Sequence, residues 1–183
     1  LYQLHQRYIL SPIASGFLLF DQHIAHQRIM YERYLFQFEN KKASSQQLLF
    51  AQNIELALAD AQLLQGLIPE LNSLGIDIRE FGNNSFVIQG LPAEFNEQNG
   101  QAVVLQLLEQ FKQNLDLRLE QYDNISRSLA YQSAIKPGQF LLQDEMRLLI
   151  DELFACQIPY AGPNGKKTFI SMDLEDLGKR FEQ

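Results

Sequence analysis

The apolar, strand-like run Gly16-Phe17-Leu18-Leu19-Phe20 ends at Asp21, and a segment of helical period follows at once. A strand that hands over directly to a helix leaves little freedom in the local fold. Asp21 stands at the junction, where its carboxylate can accept from the orphan amides of the first helical turn. His23 and Gln27 then fall one turn apart on one face, followed by Arg28 and Glu32. An imidazole and a carboxylate at that spacing could hold a divalent ion, but Gln27 offers a neutral amide, a much poorer ligand for zinc or manganese. The spacing alone is therefore a weak metal signal. Asp21 is expected to cap the helix, and His26 to face solvent or a second subunit. Glu32 is expected to form a surface ion pair with Arg28 or Arg33 worth under about 1 kcal/mol.

The rest of the chain alternates between strand and helix periods. Tyr2, Leu4, Tyr8 and Leu10 alternate with Gln3, His5, Arg7 and Ile9 as one half-buried strand would, and a turn with Pro12 and Gly16 leads into the Phe17–Phe20 run. The helix after Asp21 places Ile24, Tyr31, Leu35 and Phe38 on one stripe and should end near Asn40. Residues 41–45 are small and polar and mark a boundary. Beyond it, Ile54, Leu56 and Leu58 alternate as a strand. Leu63, Leu64, Leu67, Leu71 and Leu74 repeat as a helix that Pro69 should kink or break and Gly75 should end. Gly82-Asn83-Asn84 reads as a hairpin turn between Ile76–Ile78 and Phe86–Ile88. Helices bearing Val103 to Phe111, Ile125 and Leu129, and Met146 to Leu153 follow. A strand over Thr168–Met172 and a short helix after Asp173 close the chain. The pattern predicts a mixed α/β (α+β) fold of two lobes. One is discontinuous, over 1–45 and 117–183; the smaller, over 46–116, is inserted.

Composition limits function. With 183 residues, 46% of them hydrophobic, the chain can bury a real core. A formal net charge of -7 gives no broad electrostatic footprint for DNA, so any contact with it should be weak or indirect. One cysteine and no signal-like start point to a reducing cytoplasm, and no apolar run reaches the ~20 residues that span a bilayer. The opening at Leu1 suggests a piece of a longer protein. Ser133 and Lys136 sit one turn apart but lack the pocket a serine hydrolase would need.

The run Asp21-Gln22-His23-Ile24-Ala25-His26-Gln27-Arg28-Ile29-Met30-Tyr31-Glu32 resembles the motif D-Q-H-A-x-x-E-x-x-x-x-E of the C-terminal domain of the MutL family of mismatch-repair proteins. The resemblance covers nearly the whole chain. Leu4–Leu10 and Gly16–Gln22 resemble the family's first two strands. Ser133-Ala134-Ile135-Lys136 resembles its third block, and Pro163-Asn164-Gly165-Lys166-Lys167-Thr168 the block written C-P-H-G-R-P-T.

MutL domains divide into those that nick DNA and those that do not, and this chain resembles the second kind. Ile24 replaces Ala and Gln27 replaces the first Glu, while Asp21, His23 and Glu32 remain. Tyr131 stands where the family's cysteine would, and Gly162 and Asn164 stand where cysteine and histidine would. The resemblance implies a degenerate endonuclease site and a domain that is not an enzyme. It also implies no cofactor in this domain, with zinc or manganese not expected; ATP and magnesium belong to the family's N-terminal ATPase region. The alternative is a metal-dependent nicking endonuclease with substituted ligands. Too few donors remain for two ions that must activate water and stabilise a leaving oxygen.

Two further implications concern partners. The family forms homodimers that tether two ATPase arms and couple the mismatch-recognition protein MutS to strand removal. The lobe at 1–45 and 117–183 would be the dimerisation lobe, with interface aromatics drawn from Tyr2, Tyr8, Phe17, Phe20, Phe140, Phe154, Tyr160 and Phe169. Gln46-Gln47-Leu48-Leu49-Phe50 resembles a sliding-clamp peptide, in which a Gln amide fixes orientation and two bulky anchors fill a shallow apolar pocket. Gln46, Leu48, Leu49 and Phe50 would then be protein-binding residues of a regulatory lobe. An ordinary edge strand of the core is the competing reading of the same five residues.

Overall fold

The computed structural model describes every residue except 41–42, 96–98, 118 and 182–183, and the side chain of Asp116. The elements run β1 (Tyr2–Leu4), β2 (Tyr8–Ile13), β3 (Gly16–Asp21), α1 (Gln22–Asn40), β4 (Gln46–Glu55), α2 (Leu58–Ser73), β5 (Asp77–Gly82) and β6 (Ser85–Leu91). They continue with α3 (Gly100–Gln113), α4 (Gln121–Ser133), α5 (Gln143–Ala155), β7 (Phe169–Asp173) and α6 (Leu174–Phe181). The fold is mixed α/β, as the alternating periods imply. Contacts divide the chain into two compact units, Leu1–Glu32 with Ala134–Gln183, and Arg33–Ser133. The divisions fall inside α1 and after α4, away from the polar residues 41–45 and from Leu117.

The first unit holds an antiparallel sheet in the order β1-β2-β3-β7. The single strand expected over Tyr2–Leu10 is instead a hairpin, because His5 and Gln6 both adopt positive φ, at 50° and 49°. His is among the residue types enriched at positive φ, but Gln is not, and neither glycine, asparagine nor proline marks the turn. The turn is fixed from outside: the Gln6 carbonyl accepts from Gly138 N at 2.8 Å and from the Gln22 amide at 2.8 Å. Ile9 and Phe20 face each other across β2 and β3. They enter a core with Ala25, Ile29, Leu141, Met146, Leu149 and Leu153. Each of the two, fully buried, contributes roughly 2–3 kcal/mol.

Helix α1 ends at Asn40 as its pattern predicts, but it buries Ala25, Ile29, Met30 and Tyr34 rather than the stripe through Ile24, Tyr31, Leu35 and Phe38. The reason is Gln22, which is fully buried. Its amide donates to the carbonyls of Gln6, Lys136 and Gln139, and its oxygen accepts from Gln3 at 2.7 Å. Anchoring residue 22 inside turns positions 25 and 29, which share its face, toward the core.

The second unit holds a sheet in the order β4-β6-β5, covered by α2 and α3. Its core includes Ile54, Leu64, Leu67, Leu71, Ile78, Phe86, Ile88, Val103 and Leu107. Two expectations change here. The strand read at Ile54–Leu58 spans Gln46–Glu55, and Leu58 already begins α2. Pro69 lies inside α2 without ending it, because Pro69 is exposed while Leu67 and Leu71 hold the opposite face to the core. The helix stops after Ser73, and Gly75 at φ 86° turns the chain. Asn83 and Asn84 take the positive φ that the β5–β6 hairpin requires.

Candidate functional site

The motif residues Asp21, His23, Gln27 and Glu32 are strung along the β3–α1 junction and the first turns of α1 in the first unit, the turn carrying Gly162 and Asn164 packs on that helix at Ile24 and Arg28, and each carboxylate and imidazole is already bonded within the protein. Asp21 Oδ1 accepts from His23 N at 3.0 Å and Ile24 N at 3.1 Å, the expected helix cap, while Oδ2 lies 3.6 Å from Arg7 Nε. His23 Nδ1 is 2.8 Å from the Ile135 carbonyl, which can only accept, so Nδ1 carries the hydrogen. That leaves Nε2 with the lone pair a metal would use. The Gln27 side-chain amide donates to it at 2.9 Å. The glutamine therefore caps the free ring nitrogen of His23.

Desolvation holds the His23 pKa below its usual value, with the nearby Lys136 charge adding to the effect and the Ile135 carbonyl opposing it. A histidine with a depressed folded-state pKa binds its proton more readily when unfolded. It therefore costs no stability above the unfolded pKa of about 6.5, and destabilises the fold as pH falls through that value. Thermal melts of the native chain and of His23→Gln should converge as pH drops from about 7.5 to 5.5. A difference that stays constant over this range would refute that role.

Arg28 and Glu32 do not form the exposed ion pair expected of them. Arg28 is 7% exposed. Its Nε donates to Ala161 O at 2.5 Å and its Nη2 to Gly162 O at 3.0 Å, while Nη1 lies 3.5 Å from Glu32 Oε1. Glu32 Oε2 accepts from Gln157 N at 2.7 Å and Oε1 from Ile158 N at 3.2 Å. Together the two side chains staple the 157–162 loop to α1. Arg33 pairs instead with Glu94 at 3.5 Å. His26, expected to face outward, is half-buried and its Nδ1 accepts from Ile135 N at 2.9 Å. Cys156 adds no ligand: burial, then the Glu32 carboxylate, push its thiol up to about 11, so it stays protonated near neutrality.

These contacts answer whether the family's metal chemistry fits. The carboxylates of Asp21 and Glu32 are spent on backbone amides, and His23 Nε2 is capped. Among the described residues no three His, Cys, Asp or Glu side chains group as a metal site would require. Asn164 Oδ1 accepts from Lys166 N at 3.2 Å within its own turn. Tyr131 belongs to the second unit, exposed on α4. The donor set does not fit a two-metal centre.

The clamp-like segment has a different geometry. It forms the start of β4, an edge strand. Gln47 pairs with Gly90 and Gln52 with Ile88, so Leu48 to Ala51 bulge out opposite Gln89 alone. Leu49 is 89% exposed and Phe50 78%, with Leu48 half-buried and Gln46 exposed.

This arrangement can be set beside known proteins. The family model described as the MutL C-terminal dimerisation domain matches residues 1–141. The chain belongs to the MutL C-terminal dimerisation domain family. It is 40% identical to the DNA mismatch repair protein MutL of Prosthecochloris aestuarii, over 99% of this chain and 29% of that protein. It is 38% identical to the proteins of the same name from Chlorobaculum tepidum and Chloroherpeton thalassium, over 99% and 98% of this chain. The chain spans under a third of the length of these relatives. In this MutL-family domain Asp21, His23 and Glu32 each have a structural partner. What the sequence left unread is the partner side: Gln27 against His23, and Arg28 against the carbonyls of residues 161 and 162. The i, i+4 spacing of 23 to 27 and of 28 to 32 was the available signal. Among the described residues no helix is long and apolar enough to cross a membrane.

Proposed function

We propose that this chain is a non-catalytic homodimerisation and protein-docking domain of a MutL-type DNA mismatch-repair matchmaker. In the full-length protein it tethers two ATPase arms, raising the effective concentration of each for the other. A sliding clamp docks on Gln46, Leu48, Leu49 and Phe50, and the mismatch sensor MutS acts through the same assembly. DNA contact by this domain is weak, consistent with its net charge of -7. The observation that carries the non-catalytic reading is the saturation of the surviving donors, above all the Gln27 amide on His23 Nε2.

Dimerisation is supported by family membership and by apolar side chains the first unit leaves in solvent. Tyr2, Phe140, Leu142 and Tyr160 are each more than 60% exposed. Not every aromatic expected at an interface is available for one. Phe20 is fully buried and Phe169 half-buried, and both pack on each other and on the ring of Phe154, which stays about half exposed, with centroids 5.2 to 6.0 Å apart. Light scattering at about 10 µM should give twice the single-chain mass. A monomer at that concentration would remove the proposal's central claim.

A further inference from the structure

The space beside Gly162 in the first unit is filled from the opposite side by Ile24. A Cβ placed on Gly162 would lie 2.7 Å from Ile24 Cγ2, 3.3 Å from Asn164 Oδ1 and 3.5 Å from Lys166 O. The first distance is shorter than any two carbon atoms tolerate without a shift. Neither partner can give way cheaply. Gly162 is buried and its backbone is tied on both sides: its amide donates to Lys166 O at 2.7 Å, and its carbonyl accepts from Gly165 N at 3.0 Å and from Arg28 Nη2 at 3.0 Å. Ile24 is β-branched and sits in the first turn of α1, where its χ1 is largely confined to one rotamer. Its own amide is fixed by the Asp21 cap at 3.1 Å. Cγ2 hangs directly from Cβ, so it cannot swing aside as the end of a long side chain could.

We infer that Ile24 and Gly162 form an apolar interlock that closes the former ligand position, so that this site excludes metal by shape as well as by its missing donors. Ile24 and a side chain at 162 compete for one space, so the second can enter only by displacing the first. Restoring ligands alone therefore cannot rebuild a metal site; Ile24 must be cut back first. The inference rests on the non-catalytic reading for its choice of ligands, but it fails by a different measurement.

A double-mutant cycle tests the interlock itself. Gly162→Ala should lower the melting temperature by roughly 5–10 °C in the native background and by less than about 2 °C in the Ile24→Ala background. Equal losses in both backgrounds would overturn it. Cobalt(II) titration then tests the consequence, read from thiolate-to-cobalt absorption. The triple variant Gln27→Glu, Gly162→Cys, Asn164→His should give no such band, or fail to fold, whereas adding Ile24→Ala should restore folding and a band saturating near one ion per chain. A band of equal strength with Ile24 present, or none once Ile24 is removed, would overturn exclusion by shape. Specific cobalt binding by the native chain that disappears in His23→Ala would instead overturn the non-catalytic reading, leaving the interlock to the melting cycle.

Discussion

Replacing Leu49 and Phe50 together by alanine is expected to weaken sliding-clamp binding by about 100-fold or more, while leaving the melting temperature within about 2 °C of the native chain. The two halves of this expectation come from one fact. Leu49 and Phe50 are 89% and 78% exposed, so the fold gains little from them, and their apolar surface is free to be buried in a partner. Each such side chain, fully buried on binding, is worth roughly 1.5–3 kcal/mol. Losing most of that from two anchors gives about 3 kcal/mol, which at 1.4 kcal/mol per tenfold is about two decades of affinity. Because Leu48 to Ala51 already stand out from β6, docking requires no strand to be peeled from the sheet. Gln46→Ala should cost less, since an amide hydrogen bond nets only about 0.5–1.5 kcal/mol. Surface plasmon resonance with immobilised clamp, alongside thermal melts, checks both halves. Unchanged affinity would remove the docking site, and a collapse in melting temperature would return these residues to a structural role.

The bulge also shows where sequence reading stops. The five residues Gln46–Phe50 look the same as an edge strand or as a docking peptide, because period and composition are those of both. Only the register separates them, and register depends on which residues of β6 lie opposite. Elements set by local chemistry were legible: the Asp21 cap, the end of α1 at Asn40, the helix stop at Gly75, and the hairpin turn at Asn83 and Asn84. Elements set by distant partners were not. His5 and Gln6 turn because residues 22 and 138 hold the Gln6 carbonyl, and α1 takes its rotation from a buried glutamine that composition would place outside. The site followed the same division. The residue types at 23, 24, 27 and 162 could be read one by one, whereas the contacts between them, Gln27 on His23 and Ile24 on Gly162, exist only once the chain is folded.

Arg28→Ala should be among the most destabilising single changes in the first unit, at about 3 kcal/mol, although no catalysis is assigned to it. Removing the guanidinium takes its donor from the Ala161 carbonyl, leaves the buried Gly162 carbonyl with only its bond from Gly165 N, and takes from Glu32 its paired cation. Each buried acceptor left unpaired costs about 1–3 kcal/mol, and breaking a buried pair from one side typically costs 3–5 kcal/mol. Glu32 keeps the amides of Gln157 and Ile158, which holds the loss toward the lower end. The side chain also covers the Tyr31 ring, with its guanidinium carbon 5.2 Å from the centroid. For a chain of this size 1 kcal/mol shifts the melting temperature by about 2–4 °C, so the fall should be near 10 °C. Arg28→Lys separates charge from geometry: an ammonium can neutralise Glu32 but cannot present two fixed donors to adjacent carbonyls. It should recover less than half of the loss. Full recovery by lysine would mean that charge alone matters there, and the 157–162 loop would then need some other explanation for its attachment to α1.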